Sequence, residues 1–329
     1  MYIIETDKLT KKFNNFTAVD GLDLKIEEGG LFGLLGPNGA GKSTTMYMLS
    51  TILEPTSGSA KVNGFDVQKE AEEVRKSIGI VFQDHTLDDR LNAYDNLDIH
   101  GRLYGIPGPK RAQRIKEVLE LVDLQDWARQ LVRVFSGGMK RRLEIARGLL
   151  QTPKLLFMDE PTLGLDPQTR RHIWEYIQKL RGEGVSIVLS THYLEEADFL
   201  CDKVAIIDHG KIVALDTPAN LKNRVQGSFI QIDCPEPQKL LNVIGKSKTV
   251  SHANAKITGT LLSFGTPDPA HAIPLLMKLA DKAGIKVDSI ETHKPSLEDV
   301  FIHYTGRSIR EEKGSGMEEF ARRMHARRT

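Results

Sequence analysis

Cysteine is scarce in this chain, whose 329 residues contain only Cys201 and Cys234. Two thiols cannot build a disulfide framework or a zinc knuckle, so the sequence predicts two buried free thiols in a reducing, cytoplasmic compartment. No apolar run reaches the roughly 18 residues of a membrane-spanning helix, and the most apolar segments, such as Leu31 to Leu35, have the length of strands. Because the amino terminus also lacks a basic segment followed by an apolar core, we expect neither a membrane span nor secretion.

An excess of charge of one sign is also lacking. The 45 Lys and Arg residues nearly balance the 44 Asp and Glu residues, which leaves a formal net charge of +1. Such a chain has no global field to attract nucleic acid or an anionic membrane, so nucleic acid is not expected as a partner and any such contact must be local. The apolar share of 40% and the charged share of 27% are ordinary for a globular protein, and the length suggests two domains.

The first two thirds of the chain alternate short apolar runs with longer helical patterns, which predicts an α/β domain with a largely parallel sheet. The strand candidates are Leu31 to Leu35, Ile78 to Phe82, Leu155 to Met158, Val185 to Ser190 and Lys203 to Asp208. Gly101 to Lys110 interrupts this pattern, and Ile115, Val118, Leu119 and Val122 follow at helical spacing. We therefore expect a helical subdomain at about residues 95–150 within a domain of residues 1–225.

A second, smaller domain is expected at residues 226–306, after a helix start at Asp216-Thr217-Pro218. Its predicted elements are strand Ser228 to Asp233, helix Gln238 to Ile244, strands around Thr249 and Leu261, helix Ala270 to Ala283, strand Lys286 to Ile290 and a helix from Ser296. The order βαββαβ predicts a ferredoxin-like α+β fold. Residues 307–329 contain seven Lys or Arg and four Asp or Glu, which indicates a flexible tail, either a solvated charge run or a binding arm.

A glycine-rich segment between a predicted strand and a predicted helix matches the P-loop pattern: Gly36, Pro37, Asn38, Gly39, Ala40, Gly41, Lys42 and Ser43. Glycine lets the backbone curve closely around phosphate, and successive N–H groups at a helix N-terminus supply positive potential. Lys42 can reach the β and γ oxygens of a nucleotide, and Ser43 can bind Mg²⁺. The alternative is a chance Gly-rich turn, but the flanking strand and helix both favour the P-loop.

Two adjacent carboxylates, Asp159 and Glu160, end the apolar strand Leu155 to Met158. A strand end can deliver Asp159 to a metal ion, and a carboxylate beside the γ-phosphate can act as general base for an attacking water, the role we expect for Glu160. Alone, such a pair could equally cap the next turn. Beside a P-loop, the pair predicts a nucleoside triphosphatase, which leaves P-loop kinases and GTPases open.

A second anion site is indicated by Ser136, Gly137 and Gly138, which form a turn at the start of a predicted helix. A simple helix N-cap is the plainer interpretation. The order of the motifs, however, resembles the ATP-binding subunit of ABC transporters, whose signature is a Ser-Gly-Gly turn opening a helix. The resemblance covers residues 2 to 225, and it leaves a kinase or GTPase disfavoured.

The resemblance extends to four single residues in the expected order. Gln83 resembles the Q-loop glutamine, Asp166 the D-loop aspartate, His192 the switch histidine and Phe13 the aromatic residue that stacks on adenine. A lone histidine after a strand is more often structural, but its place in the motif order favours the switch.

The resemblance implies a full set of site residues. Catalytic roles fall to Glu160, His192 and Lys42. ATP-binding roles fall to Phe13, Gly36, Pro37, Asn38, Gly39, Ala40, Gly41, Lys42, Ser43, Thr44, Gln83, Ser136, Gly137, Gly138 and Asp166. Mg²⁺ ligands would be Ser43, Gln83 and Asp159.

Two departures from the family pattern concern single side chains. Phe135 and Met139 flank the signature turn where Leu and Gln are commoner, but Ser136 and both glycines are intact, so we expect activity to survive. Phe13 replaces the commoner Tyr and keeps its π-face. The run from Phe135 to Ala146, together with Pro295 to Ile302, is similar to the daunorubicin-resistance group of ABC ATPases, which serve exporters with separately encoded permeases.

The resemblance implies partners as well. Two ATPase subunits stack head to tail with each ATP between the P-loop of one and the signature turn of the other, so a dimer, in the simplest case a homodimer, is expected. The chain would sit on the inner face of the cell membrane through a permease and power export of a drug, antibiotic or lipid-like substrate. Asp84 to Leu97 lies where the family meets the permease, although it could instead only pack on the helical subdomain. A soluble ABC-type ATPase that acts on ribosomes or DNA is the alternative.

Overall fold

A computed structural model describes residues 1–225, 228–247, 253–307 and 309. They form two compact units, one up to Leu215 and one from Asp216 onward. No described helix is long and apolar enough to cross a membrane. Both cysteines are buried free thiols, as predicted.

The first unit contains ten strands and seven helices in its described residues. The strands are β1 Tyr2–Phe13, β2 Phe16–Glu27, β3 Leu31–Leu35, β4 Ser57–Val62, β5 Phe65–Asp66, β6 Ile78–Val81, β7 Leu155–Asp159, β8 Ser186–Thr191, β9 Lys203–Asp208 and β10 Lys211–Asp216. The helices are α1 Lys42–Leu49, α2 Ala71–Ser77, α3 Ala93–Leu103, α4 Gly108–Leu121, α5 Gly137–Leu149, α6 Pro167–Gly182 and α7 Leu194–Leu200. Each predicted strand is present within one residue at either end.

A six-stranded sheet in the order β10-β9-β3-β8-β7-β6 is the centre of this unit. The pairs that join β9, β3, β8, β7 and β6 are all parallel, which confirms the predicted α/β class. Strands β3, β7 and β8 consist almost entirely of buried residues because helices cover such a sheet on both faces. The carboxyl ends of β3, β7 and β8 consequently meet at one edge, where the P-loop begins.

A second sheet, in the order β2-β1-β4-β5, is antiparallel and was not predicted. Strand β1 buries residues in an irregular rather than an alternating pattern, because its pairing with β2 contains several register shifts. Those shifts remove the period-two signal by which strands are found in a sequence. Helix α1 contacts β2 and β4 of this sheet and β7 and β8 of the other, and one apolar core joins them.

The predicted helical subdomain is present as α3, α4 and α5, which pack on one another. Residues Ile115, Val118, Leu119 and Val122 are buried, as their spacing indicates. Helix α4 begins at Gly108, within the segment Gly101 to Lys110 that was expected to interrupt the pattern, because Pro109 is tolerated in a first helical turn. Two short 3₁₀ turns, Gln125–Trp127 and Val132–Val134, lead to α5.

The second unit has the predicted βαββαβ order, preceded and followed by a helix. Its elements are α8 Pro218–Arg224, β11 Ser228–Asp233, α9 Pro237–Ser247, β12 Ala253–Thr258, β13 Leu261–Thr266, α10 Pro269–Lys282, β14 Ser289–His293 and α11 Leu297–Thr305. The antiparallel strand order β12-β13-β11-β14 is that of a ferredoxin-like fold, and the unit has a core of its own. Helix α8, which the sequence placed before the boundary, lies in this unit.

Several predicted ends differ slightly in this unit. Strand β14 begins three residues after the predicted Lys286, and α11 follows Ser296, whose side chain forms a capping box with Asp299. Thr249 and the tail beyond Arg307, apart from residue 309, lie outside the described residues.

The packing of β6 against α5 yields a stability prediction. A Cβ added at Gly79 would lie 2.1 Å from the carbonyl oxygen of Gly148 in α5, a backbone atom that cannot move aside. We expect Gly79→Ala to lower the free energy of unfolding by about 1–3 kcal/mol, the usual range for overpacking, as measured by urea denaturation.

Gly108→Ala is the matched control, because a Cβ there would meet no atom within 4 Å at the start of α4. Its stability should equal or exceed that of the wild type, since alanine favours helices. Equal urea midpoints for the two variants would contradict the close approach of β6 and α5.

Candidate nucleotide-binding site

The loop of residues 36–41 connects the end of β3 with the start of α1, as predicted. Gly41 has a φ of +104°, which disfavours other residues, and a Cβ there would lie 2.4 Å from the carbonyl oxygen of Ala18. A Cβ at Gly36 would lie 2.3 Å from the carbonyl oxygen of Ile207. The first turn of α1 also leaves N–H groups without intrahelical partners. The loop thus has the close backbone course and the donors that a phosphate requires.

Lys42 is buried at the first position of α1, with only 4% of its side chain exposed. Its Nζ donates hydrogen bonds to the carbonyl oxygens of Gly36 (2.8 Å) and Pro37 (2.9 Å). The same Nζ lies 3.6 Å from Oε1 of Glu160. The ammonium group therefore joins the P-loop to the end of β7, where the predicted general base follows.

Glu160 is buried and lies between the ammonium of Lys42 and the ring of His192. Its Oε2 is 3.2 Å from Nδ1 of His192, which directly follows β8. Burial opposes ionisation of this carboxyl, but the close approach of His192 and the charge of Lys42 outweigh burial and lower its pKa. The structure thus brings the three predicted catalytic residues together and holds Glu160 ionised, as a general base must be.

Asp159 is the last residue of β7 and is fully buried. Its Oδ1 accepts hydrogen bonds from the hydroxyls of Ser43 (2.9 Å) and Ser190. Its Oδ2 is buried without a hydrogen-bond partner among the described residues. A carboxyl oxygen left without a partner beside a serine hydroxyl suits a hard cation such as Mg²⁺, which prefers oxygen ligands. The donor set at Asp159 and Ser43 therefore fits the predicted metal.

Other predicted residues lie at the borders of this cluster or apart from it. Gln83 is exposed, in the loop after β6. Phe13 ends β1 at the hairpin to β2, with Nζ of Lys11 5.2 Å from the centre of its ring. The described hydrogen bonds do not join either residue to Lys42 or Asp159, and their roles stay predictions.

Ser136 and Asp166 each cap a helix. The Ser136 hydroxyl accepts a hydrogen bond from the N–H of Met139 at the start of α5, and this turn is exposed at Ser136 and Gly137. The Asp166 carboxylate accepts hydrogen bonds from Thr169 and Gln168 at the start of α6, and those from Thr169 and the backbone lower its pKa. In the isolated chain, Ser136 and Asp166 therefore both act as helix caps. A phosphate contact by Ser136 stays a prediction.

Sequence reasoning missed the contributions of Ser190, Tyr47 and Arg141. Ser190 is bonded to Asp159, and its hydroxyl also accepts the N–H of Glu160 at 3.0 Å. Burial and the nearby Asp159 carboxylate raise the pKa of Tyr47 in α1. Arg141 donates to backbone carbonyls on both sides of Glu160. The available signal was the spacing of Arg141 and Glu144, since opposite charges three residues apart on a helix can pair.

Two family models match the chain. One, described as "ABC transporter", matches residues 19–163, and the other, described as "ATP-binding protein DrrA1-3-like, C-terminal domain", matches residues 217–305. The first contains the P-loop, the Ser136 turn and Glu160. The second spans the ferredoxin-like unit almost completely.

Curated relatives match over nearly the full length of the chain. The daunorubicin resistance ATP-binding protein DrrA3 of Streptomyces coeruleorubidus is 38% identical over 303 residues, which are 92% of this chain and 96% of that protein. The Nod factor export ATP-binding protein I of Cupriavidus metallidurans is 38% identical over 311 residues, with coverages of 94% and 99%.

Solved structures match about two thirds of the chain. The cbiO1 protein of Clostridium perfringens, part of the ABC transporter complex cbiONQ, has a TM-score of 0.63 at 28% identity and covers 67% of this chain and 90% of its own. The dimeric ABC transporter cassette MJ0796 has a TM-score of 0.59 at 27% identity, with coverages of 65% and 98%. The resemblance drawn from the motifs is confirmed: this chain belongs to the ABC transporter family, as an ATP-binding protein with a DrrA1-3-like C-terminal domain.

Proposed function

We propose that this chain hydrolyses ATP with Mg²⁺ and powers an exporter whose membrane permease is a separate chain. The observation that carries the proposal is the cluster of buried Lys42 and Glu160 with half-buried His192 beside the P-loop. A general base, its orienting histidine and a phosphate-binding ammonium are the parts that phosphoryl transfer to water requires.

Each residue of the cluster has a distinct task in this proposal. Lys42 exchanges its carbonyl partners for phosphate oxygens, Glu160 accepts the proton of the attacking water, and His192 holds the Glu160 carboxylate in place. Ser43 and Asp159, with Gln83, would hold Mg²⁺. The metal, when bound, neutralises charge on the phosphate oxygens.

A dimer is part of the proposal because the Ser136 turn is exposed and its helix N-terminus can bind an anion. The similar cassette MJ0796 has been solved as a dimer. We infer that a second copy of this chain supplies its Ser136 turn to each ATP, so that one copy alone holds half of each site.

Export and a permease partner are supported by the names of the relatives, which are drug-resistance and export ATP-binding proteins. The chain would then lie at the inner face of the cell membrane through its permease, with the cargo chosen by the permease. The soluble alternative has no support among these relatives and becomes one outcome of the partner experiment below.

The role of Glu160 can be tested with Glu160→Gln, which keeps the shape of the side chain and removes the base. We expect hydrolysis to fall about 10²- to 10⁴-fold, the usual contribution of a general base, while ATP binding persists and an ATP-bound dimer accumulates in size-exclusion chromatography. Glu183→Gln, at an exposed carboxyl after α6, is the control. A Glu160→Gln chain that stays monomeric with ATP and hydrolyses it normally would refute both the base and the dimer.

The metal site can be tested with Asp159→Asn, which keeps the size of the side chain and removes its charge. We expect at least about a tenfold loss of the Mg²⁺-dependent gain in ATP affinity, as is typical of metal-site substitutions, measured by titration with and without Mg²⁺. Asp126→Asn, on an exposed 3₁₀ turn, should bind like the wild type. An unchanged Mg²⁺ dependence in Asp159→Asn would remove Asp159 from the metal site.

The partner can be identified by affinity purification of Glu160→Gln from native membranes with ATP and Mg²⁺, followed by mass spectrometry. We expect a protein with several membrane spans to co-purify, and to be depleted when the bait is Lys42→Ala, which lacks the ammonium group proposed to bind phosphate. Recovery of only ribosomal or DNA-bound proteins would reject the transporter and leave the ATPase.

A further inference from the structure

Arg141 is a buried cation in the middle of the first unit, with 3% of its side chain exposed. It lies in the second turn of α5, the helix that begins at the Ser136 cap. Its guanidinium donates four hydrogen bonds, three to backbone carbonyls and one to the carboxylate of Glu144. A guanidinium holds several N–H donors in one plane, so it can join several chain segments at once. The acceptors of Arg141 show which segments it joins.

Two of those partners flank the proposed general base. Nη2 donates to the carbonyl oxygen of Asp159 (3.0 Å), and Nε donates to the carbonyl oxygen of Pro161 (2.7 Å). Glu160 stands between them with a φ of +46°, a left-handed conformation that residues other than glycine seldom adopt. A strained backbone persists only where its surroundings hold it, and Arg141 bonds to the carbonyl oxygens of the residues before and after Glu160.

The other partners belong to the loop that contains Gln83. Nη1 of Arg141 donates to the carbonyl oxygen of Phe82, the residue before Gln83. Glu144, paired with Arg141 at 3.1 Å, accepts the backbone N–H and the hydroxyl of Thr86. The ion pair of Arg141 and Glu144 therefore binds the residues that precede and follow the segment 83–85. It also binds both neighbours of Glu160.

We propose that Arg141 is a positioning residue for ATP hydrolysis: it holds the backbone of Glu160 in the conformation that places the carboxylate against Lys42 and His192, and it makes that placement depend on α5 and on the loop of Gln83. The inference rests on the proposed hydrolysis. Arg141 touches no reacting atom in this scheme and acts through Glu160. Lysine cannot replace it, because one compact ammonium cannot span three carbonyls that the planar guanidinium reaches at once.

The test compares Arg141→Met and Arg141→Lys with the wild type, in the full chain, by steady-state ATP hydrolysis with Mg²⁺ and by equilibrium binding of a fluorescent ATP analogue. For both variants we expect kcat to fall about 10- to 100-fold, the loss typical of a misplaced catalytic group, while KM and the binding constant change less than about threefold.

Arg111→Met is the matched control for a general loss of stability. Arg111 is also largely buried and donates to a carboxylate and a carbonyl, those of Asp98 and Ile106, but these partners lie within α3 and the α3–α4 connection. This variant should lower the melting temperature as Arg141→Met does, yet retain kcat within about threefold, because neither partner adjoins the catalytic cluster.

The decisive comparison repeats Arg141→Met in the Glu160→Gln background. A residue that acts through Glu160 should change the residual rate less than about twofold there, because effects on one functional unit are not additive. Equal rate losses in both backgrounds, full rescue by Arg141→Lys, or an unchanged kcat in Arg141→Met would each overturn the proposal.

Failure of the inference and failure of the proposed function give different results. A wild-type chain that binds ATP and hydrolyses none would overturn the proposed function and this inference with it. A wild-type chain that hydrolyses ATP, together with an Arg141→Met variant that does so equally well, would overturn the inference alone. If Arg141→Met fails to fold, Arg141→Gln, which retains one donor group, takes its place in both backgrounds.

Discussion

Two buried carboxylates, Asp159 and Glu160, constrain the first unit more than any other feature of the sequence. A charge removed from water is tolerated only when hydrogen bonds or opposite charges surround it. The required partners come from the ends of neighbouring elements: Lys42 from α1, Ser190 from β8 and His192 from the residue that follows β8. The interactions that stabilise these buried carboxylates are therefore the same ones that assemble the nucleotide site.

The same constraint reaches into the helical subdomain. Arg141 carries the only guanidinium among the described residues that bonds to carbonyls on both sides of Glu160. Its helix, α5, begins with the exposed turn at Ser136, and its residues from Leu143 to Leu149 are buried. Helix α5 therefore connects the exposed Ser136 turn with the carbonyl oxygens of the residues on either side of Glu160.

Much of the fold could be predicted from periodicity. The buried parallel strands are short, uninterrupted apolar runs, and the βαββαβ unit alternates such runs with amphipathic helices. The antiparallel sheet of β1, β2, β4 and β5 could not be found in this way, because bulges in β1 break its alternation. The contribution of this sheet to the site is also visible only in the tertiary structure. The carbonyl oxygen of Ala18 in β2 leaves no room for a side chain at Gly41.

Some features of the site can likewise be recognised in the sequence, and others are visible only in the structure. Gly36 to Ser43 and the pair Asp159 and Glu160 are contiguous in sequence, and their chemistry is evident from residue type and from the flanking strands. Nothing local indicates that Ser190 bonds to Asp159 across 31 residues, or that the guanidinium of Arg141 reaches Phe82, 59 residues away.

The sequence by itself therefore determined the family, and it predicts the two-part organisation and the residues that bind phosphate and metal, because these depend on motifs whose members are neighbours along the chain. Only the tertiary structure decided which oxygen of Asp159 is left for a metal, how Glu160 is kept ionised, and what holds its strained backbone. Those properties depend on burial and on hydrogen bonds between distant segments, which exist only once the strands have paired and the helices have packed on them.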